Sequence, residues 1–196
     1  MKITYKYISR TFQNTLSQCC DEIEGENVVG RLLFHCIEIN KTLWHLEDVS
    51  RMHDLGFENI AKAKMEIDLA NQKRNETINQ LDLLLDKHLG NVPLQSLDKF
   101  YSESPGMLID RMAILFLRHN FIKQLVVHIE NKELRDEYLE KEKQLIQNLN
   151  DLGIFLDSFF DKISNGEAFF KIYKPLKIYN DQRIKNYIKR LTIKET

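Results

Sequence analysis

The chain is poor in residues that interrupt helices, with 7 glycines and 3 prolines among 196 residues. In a helix interior Gly costs about 1 kcal/mol relative to Ala and Pro about 3 kcal/mol. The scarcity therefore predicts long regular elements with few breaks. Cysteine is also scarce. Cys19, Cys20 and Cys36 are odd in number, two of them are adjacent, and no Cys-x-x-Cys occurs. That argues against a disulfide framework or a standard zinc site and fits small buried hydrophobes in a reducing cytosol. Charge of one sign is lacking too: 28 Lys and Arg face 29 Asp and Glu. A near-neutral whole argues against an electrostatic nucleic-acid binder. Long hydrophobic runs are missing. Met112–Leu117, six residues, is the longest apolar stretch, against the ~18–20 that a membrane span needs. Met1 to Arg10 holds lysines but no apolar signal-peptide core. The expectation is a cytoplasmic chain with no membrane span.

What is present reads as one globular domain with an appendage. Hydrophobic residues make up 43% and charged residues 29%, as in ordinary soluble domains. Ile8, Phe12, Leu16, Cys19 and Ile23 recur at helical spacing, which predicts a helix over 6–24 ended by Gly25 and Asn27. Further helices are expected over 28–52, 58–88, 105–129 and 132–163. Ser104-Pro105 reads as an N-cap followed by Pro at the first helical position. The 105–129 helix is apolar on most faces and should be the most buried. Gly153 within the last long helix should be compensated by close packing. Asn165-Gly166 stops that helix, and Pro175 bars helix over Phe169 to Tyr179. A short helix over 181–191 closes the chain. Strand signals are nearly absent. The fold class expected is all-α: an antiparallel bundle of about five long or medium helices plus a short C-terminal helix. The division expected is a bundle over 1–168 and a basic extension over 169–196 docked on it or on a partner.

Two of these helices carry polar residues on the stripe that should be apolar. One seam runs Ile60, Lys64, Ile67, Asn71, Arg74, Ile78, Leu81, Leu85, with Asp68 and Asn75 beside it and Asp82 in line. The preceding helix reads Leu33, Ile37, Asn40, Trp44, Glu47, Arg51, with Asp48 alongside. Burying an unpartnered polar group costs roughly 2–7 kcal/mol, and a charge more, so such stripes point to a polar, charge-balanced site inside the bundle. Glu47, Asp48 and Asp68 are the candidate acid/base groups or ligands of a divalent cation such as Mg²⁺. Arg51, Lys64, Arg74 and Arg111 suit phosphate or carboxylate. Asn40, Asn71 and Asn75 can orient a ligand, and Trp44 can stack on a ring or sugar. The competing reading is structural: buried ion pairs and amides set register in helical bundles without any ligand.

The segment Ser102-Glu103-Ser104-Pro105-Gly106-Met107-Leu108-Ile109-Asp110-Arg111 adds a helix start, where free N–H groups favour an anion. Glu103, Asp110 and Arg111 join the candidates on that ground; a plain cap followed by a snorkelling Arg is the alternative. Several signatures are missing. No Glu-x-x-His occurs, against a di-iron carboxylate bundle, and no His-Glu-x-x-His. The Arg-x4–6-His spacing of helical HEPN ribonucleases is also absent. Glu130, Glu133, Asp136, Glu137 and Glu140 are interspersed with Lys132, Arg135, Lys141 and Lys143, as on a solvated helix face. From Lys171 to Lys194 eight basic residues face one acid, Asp181, with Tyr173, Tyr179 and Tyr187 interleaved. Docking of this tail on the acidic body, or on a second copy, is the simpler reading than RNA binding.

Asn40-x3-Trp44-His45-x-Glu47-Asp48, Lys64-x-x-Ile67-Asp68-x-x-Asn71-x-x-Arg74-Asn75, Ser102-Glu103-Ser104-Pro105-Gly106-Met107-x-Ile109-Asp110-Arg111 and Lys177-x-Tyr179-Asn180-Asp181 together resemble a bacterial family known as a domain of unknown function. The likeness covers nearly the whole chain, and it rests on combined order and spacing. It implies an all-helical fold and a setting near glycosyltransferases of surface-polysaccharide pathways in Bacteroidetes and relatives. It supplies no established catalytic residue. Two functions follow as expectations. One is a protein that binds or acts on a phosphorylated or nucleotide-sugar ligand. The other is a non-catalytic helical partner of glycan-assembly enzymes. The partners expected are a small anionic metabolite or a protein, with a homodimer as one arrangement.

Overall fold

The computed structural model describes residues 2–17, 28–92, 99–173, 182–184, 187 and 190. Five helices form the body: α1 Tyr5–Leu16, α2 Val28–Ser50, α3 Phe57–Leu89, α4 Pro105–Val126 and α5 Lys132–Ser164. The all-α expectation holds. The ends follow the local chemistry. Gly56 and Gly90 lie at positive φ, 79° and 65°, at the two ends of α3. Ser104 caps α4 by accepting from the Met107 N–H at 3.3 Å, with Pro105 at the first helical position. Asn131 caps α5 through the Leu134 N–H, and Asn165 and Gly166 (φ 69°) end it. The first helix is shorter than the expected 6–24: it ends at Leu16, with the Ser17 N–H closing the last turn on the Gln13 and Thr15 carbonyls, and the stretch near Gly25 falls outside the described residues. So does most of the C-terminal stretch; residues 182–184 form a single 3-10 turn.

α2 and α3 form one hairpin through a 3-10 turn at His53–Leu55, and α4 and α5 form a second. α4 lies between, against α1, α2, α3 and α5. It is the most buried helix, as its composition predicts, with Leu108, Ile109, Met112, Ala113 and Phe116 in the central core beside Phe12, Leu33, Ile37 and Leu81. Of the α5 seam, Leu149, Leu156, Phe159 and Ile163 are buried, while Leu134 near its start is exposed. The C-terminal half of that seam therefore packs within the chain.

Two helix starts are pinned by carboxylates from other helices. Tyr5 N–H donates to Asp157 Oδ1 at 2.7 Å, and Gly106 N–H to Asp82 Oδ1 at 2.6 Å. At both places a glycine permits the approach. A Cβ on Gly153 would sit 2.5 Å from the Tyr5 ring, and one on Gly106 2.6 Å from Asp82 Oδ1. Gly153 is thus compensated by packing, as expected.

The sequence reading held no strand, but Phe100–Tyr101 (β1) and Phe169–Phe170 (β2) pair in parallel. Each is two residues long, too short for an alternating pattern to register. The Asn91 amide donates to the Phe170 carbonyl at 3.1 Å and accepts from the Phe170 N–H at 3.2 Å. Phe169 and Phe170 are buried, so the segment after α5 begins inside the core.

The polar seam of α3 needs correction. The buried residues are Ala63, Ile67, Ala70, Thr77, Leu81, Asp82 and Leu85. Lys64, Asp68 and Asn75 are exposed. The buried stripe is turned by one position because it includes the small, buried Ala63 and Ala70, and Ala70 packs with Leu43, Leu46 and Ile67. Alanine is a weak hydrophobic signal beside an isoleucine, so a stripe read from aliphatic residues alone drifts onto Lys64.

Candidate functional site

Three helices meet at one carboxylate. Asp110, near the start of α4, is 4% exposed. Arg74 of α3 grips it with two prongs, Nε to Oδ1 at 2.9 Å and Nη2 to Oδ2 at 2.5 Å. Asn40 of α2 donates to the same Oδ1 at 2.8 Å and to the Cys36 carbonyl at 2.9 Å. The fork is the strong, planar form of a charged hydrogen bond. The hydrogen bond to Asp110 holds the Arg74 guanidinium above its usual range, against the opposing effect of burial. Burial, then the Asp110 charge, pushes the Cys36 thiol far up. Cys36 is therefore a protonated, buried thiol and not a nucleophile.

A second carboxylate closes the start of α4. Asp82 Oδ2 accepts from Ser104 Oγ at 2.6 Å and Oδ1 accepts from the Gly106 N–H. Burial pushes its carboxyl up to about 6, against the pull of those two hydrogen bonds. The helix entrance expected to take an anionic ligand already holds an anion of the chain itself. Glu103 and Arg111, proposed for the same entrance, pair with each other on the surface.

Beside the closed network lies an open cleft of about 340 Å³ between α2, α3 and α4. Asn40, Trp44, Glu47, Asp48, Arg51, Asn71 and Arg74 of the sequence candidates line it. Helical spacing explains why: Trp44, Glu47, Asp48 and Arg51 occupy successive turns of one α2 face. Arg51 reaches back to Glu47 and Asp48 at 3.4 Å each, but both pairs are well exposed and hold the three side chains only loosely. Arg74 is 30% exposed, so the guanidinium that secures Asp110 also shows an edge to the cleft. Lys64, Asp68, Asn75, Glu103, Asp110 and Arg111 do not line it.

Residue types alone missed Arg118. It lines the cleft from α4, and the structure gives it no hydrogen bond or ion pair among the described residues. It lies seven positions after Arg111, two helical turns along the same helix, and that spacing is the signal that was available. Asp68 stands apart from Glu47 and Asp48, so the expected three-carboxylate cation site is not assembled. Among the described residues no group of three His, Cys, Asp or Glu side chains is gathered to hold a metal ion. Among them, too, no helix is long and apolar enough to cross a membrane.

Residues 30–172 match the family described as "Protein of unknown function (DUF4254)", and the chain belongs to that family. The chain is also 28% identical over 183 residues to the tRNA uridine 5-carboxymethylaminomethyl modification enzyme MnmG of Mycoplasmoides gallisepticum (strain R(low / passage 15 / clone 2)). That likeness covers 84% of this chain and 30% of the enzyme, so the chain spans less than a third of the relative it matches. No solved structure matches.

Proposed function

We propose that the cleft between α2, α3 and α4 binds a phosphorylated small molecule of the nucleotide-sugar type. The observation that carries this reading is Arg118, a cation without a partner among the described residues, facing a cleft already rimmed by Arg51 and the Arg74 edge. Guanidinium groups with free N–H donors at a concave, half-enclosed site suit phosphate oxygens. Asn71, Glu47 and Asp48 are placed to accept or donate to sugar hydroxyls, and Trp44 offers a flat wall. Glu47 and Asp48 are the groups to carry proton transfer or to hold a divalent cation brought with the ligand. The setting suggested by the family resemblance is surface-glycan metabolism.

The test is thermal unfolding against nucleotides, sugar phosphates, nucleotide sugars and tRNA, each with and without Mg²⁺ or Mn²⁺. Ligand at ~100 times its Kd adds about 2.7 kcal/mol of stability, a shift of a few degrees for a chain of this size. The shift should vanish in Arg118→Ala. A flat response to every phosphorylated probe would sink the reading.

A second reading has its own observation. Phe57, Met65 and Leu69 of α3 are exposed, at 93%, 69% and 61%. They follow a four-residue spacing through Ala61, which puts them on one side of the helix. An apolar stripe of this kind suits a protein partner, in line with a non-catalytic helical component of a glycan-assembly complex. A gain in complex mass with a partner enzyme, lost in Met65→Glu, would favour it.

A further inference from the structure

A second cavity, of about 360 Å³, opens on the other side of Trp44. Its walls come from α4 and α5, with Phe121 and Ile122 on one side and Tyr138 and Leu145 on the other. Trp44 and Arg118 line both cavities, so the two are lobes of one groove that meet at an aromatic ring and a cation unpaired among the described residues. The lobes differ in chemistry. The first is rimmed by carboxylates, amides and guanidinium groups. The second is largely aromatic and aliphatic: Trp44 and Phe121 stand 5.5 Å apart at 42°. Its cation, Lys141, is already committed, bonded to Glu137 at 2.6 Å and lying 4.3 Å over the Tyr138 ring. Gln144 and Asn148, one turn apart on α5, face this lobe with no hydrogen-bond partner among the described residues.

We propose that the second lobe takes the base of a nucleoside diphosphate derivative, whose phosphates lie on Arg118 and whose outer group enters the first cleft. The proposal rests on the reading that the first cleft accepts a phosphorylated ligand, and it supplies the remaining half of that ligand. A flat heteroaromatic ring fits the second lobe on three counts. Aromatic walls stack on the π-face of any base. Free amide side chains carry both donors and acceptors for its polar edge. The cation sits where the two lobes join, and a diphosphate likewise joins the two halves of such a molecule. A purely apolar tail would satisfy the aromatic walls and leave Gln144 and Asn148 unanswered.

The chain has one tryptophan, and it stands at the junction, so its fluorescence reads either lobe. The full chain is titrated with four probes: a hexose phosphate, the matching uridine and adenosine diphosphate hexoses, and farnesyl diphosphate. One or both nucleotide sugars should bind at least tenfold tighter than the hexose phosphate. Phe121→Ala and Asn148→Ala, both at exposed positions, should reduce that advantage with little change in unfolding temperature. Equal affinity for hexose phosphate and nucleotide sugars overturns the base lobe and leaves the phosphate cleft standing. Tighter binding of farnesyl diphosphate than of either nucleotide sugar assigns the lobe to an isoprenoid and overturns the base. Failure of every phosphorylated probe removes the cleft reading and this proposal with it.

Discussion

α2, α3 and α4 contribute to two polar clusters that share Asn40 and Arg74 and behave in opposite ways. Around Asp110 the groups are buried, and the carboxylate oxygens are matched to donors at 2.5–2.9 Å. Around Trp44 and Arg118 the groups are half-exposed, loosely paired at 3.4 Å or unpaired among the described residues, and they border open space. The closed cluster ties three helices, and its carboxylate is satisfied from within, since a charge that deep must be; only the exposed edge of Arg74 is left to face the cleft. The open cluster, with exposed pairs at 3.4 Å, should contribute little to folding and leaves hydrogen-bonding capacity facing the cleft. The structural reading of the polar stripes is carried by the closed cluster, and the ligand-binding reading proposed above concerns the open one.

The sharpest way to separate the clusters is Arg74→Met. It leaves Asp110 buried with only Asn40, and should cost about 3–5 kcal/mol in urea unfolding. Asp110→Asn should cost less, because the part-exposed Arg74 can turn toward water. A loss under about 1 kcal/mol for Arg74→Met would mean that the closed cluster does not hold the helices together.

Next in size is a pH effect from Asp82. Its carboxyl lies near 6 when folded against an ordinary 3.8. The raised folded value means its favourable contribution is complete below about 4 and lost as pH rises through about 6. At 1.36 kcal/mol per unit, stability should fall by up to about 3 kcal/mol over that window. Asp82→Asn should remove this component of the slope, as read from denaturation midpoints between pH 4 and 7. An unchanged slope would place the titration elsewhere.

Gly106→Ala should cost about 1–3 kcal/mol by overpacking, because its Cβ would meet the Ile78 carbonyl at 2.7 Å as well as Asp82. Tolerance of alanine would show that α4 can back away from α3. The smallest stability effects belong to the open cluster. Arg118→Ala and Asp48→Ala should stay within about 0.5 kcal/mol in unfolding while weakening binding of a phosphorylated probe tenfold or more. Asp68→Ala should alter neither stability nor binding. A strong loss of stability in Arg118→Ala would erase the distinction between the two clusters.

Helix positions were legible because they depend on neighbours within about four residues: Ser104-Pro105, Gly90, Asn131 and Asn165-Gly166 mark ends wherever the helices later pack. The region of the cleft was legible too, because Asn40, Trp44, Glu47 and Arg51 follow the helical period. The partition of the polar residues was not. Asp110 meets Arg74 across 36 positions and Asn40 across 70, and spacing along one helix carries no information about its partner. The same limit hid the capping of α4 by Asp82, 22 residues before Ser104.

An all-helical chain, the ends of most of its described helices and a polar zone on the second and third of them follow from local backbone chemistry and the 3.6-residue period alone. Which polar groups are sealed depends on how the helices pack against one another. That choice turned on a small rotation: with Ala70 against α2, Lys64 and Asp68 face solvent, Arg74 reaches Asp110, and Arg118 is left facing an open groove.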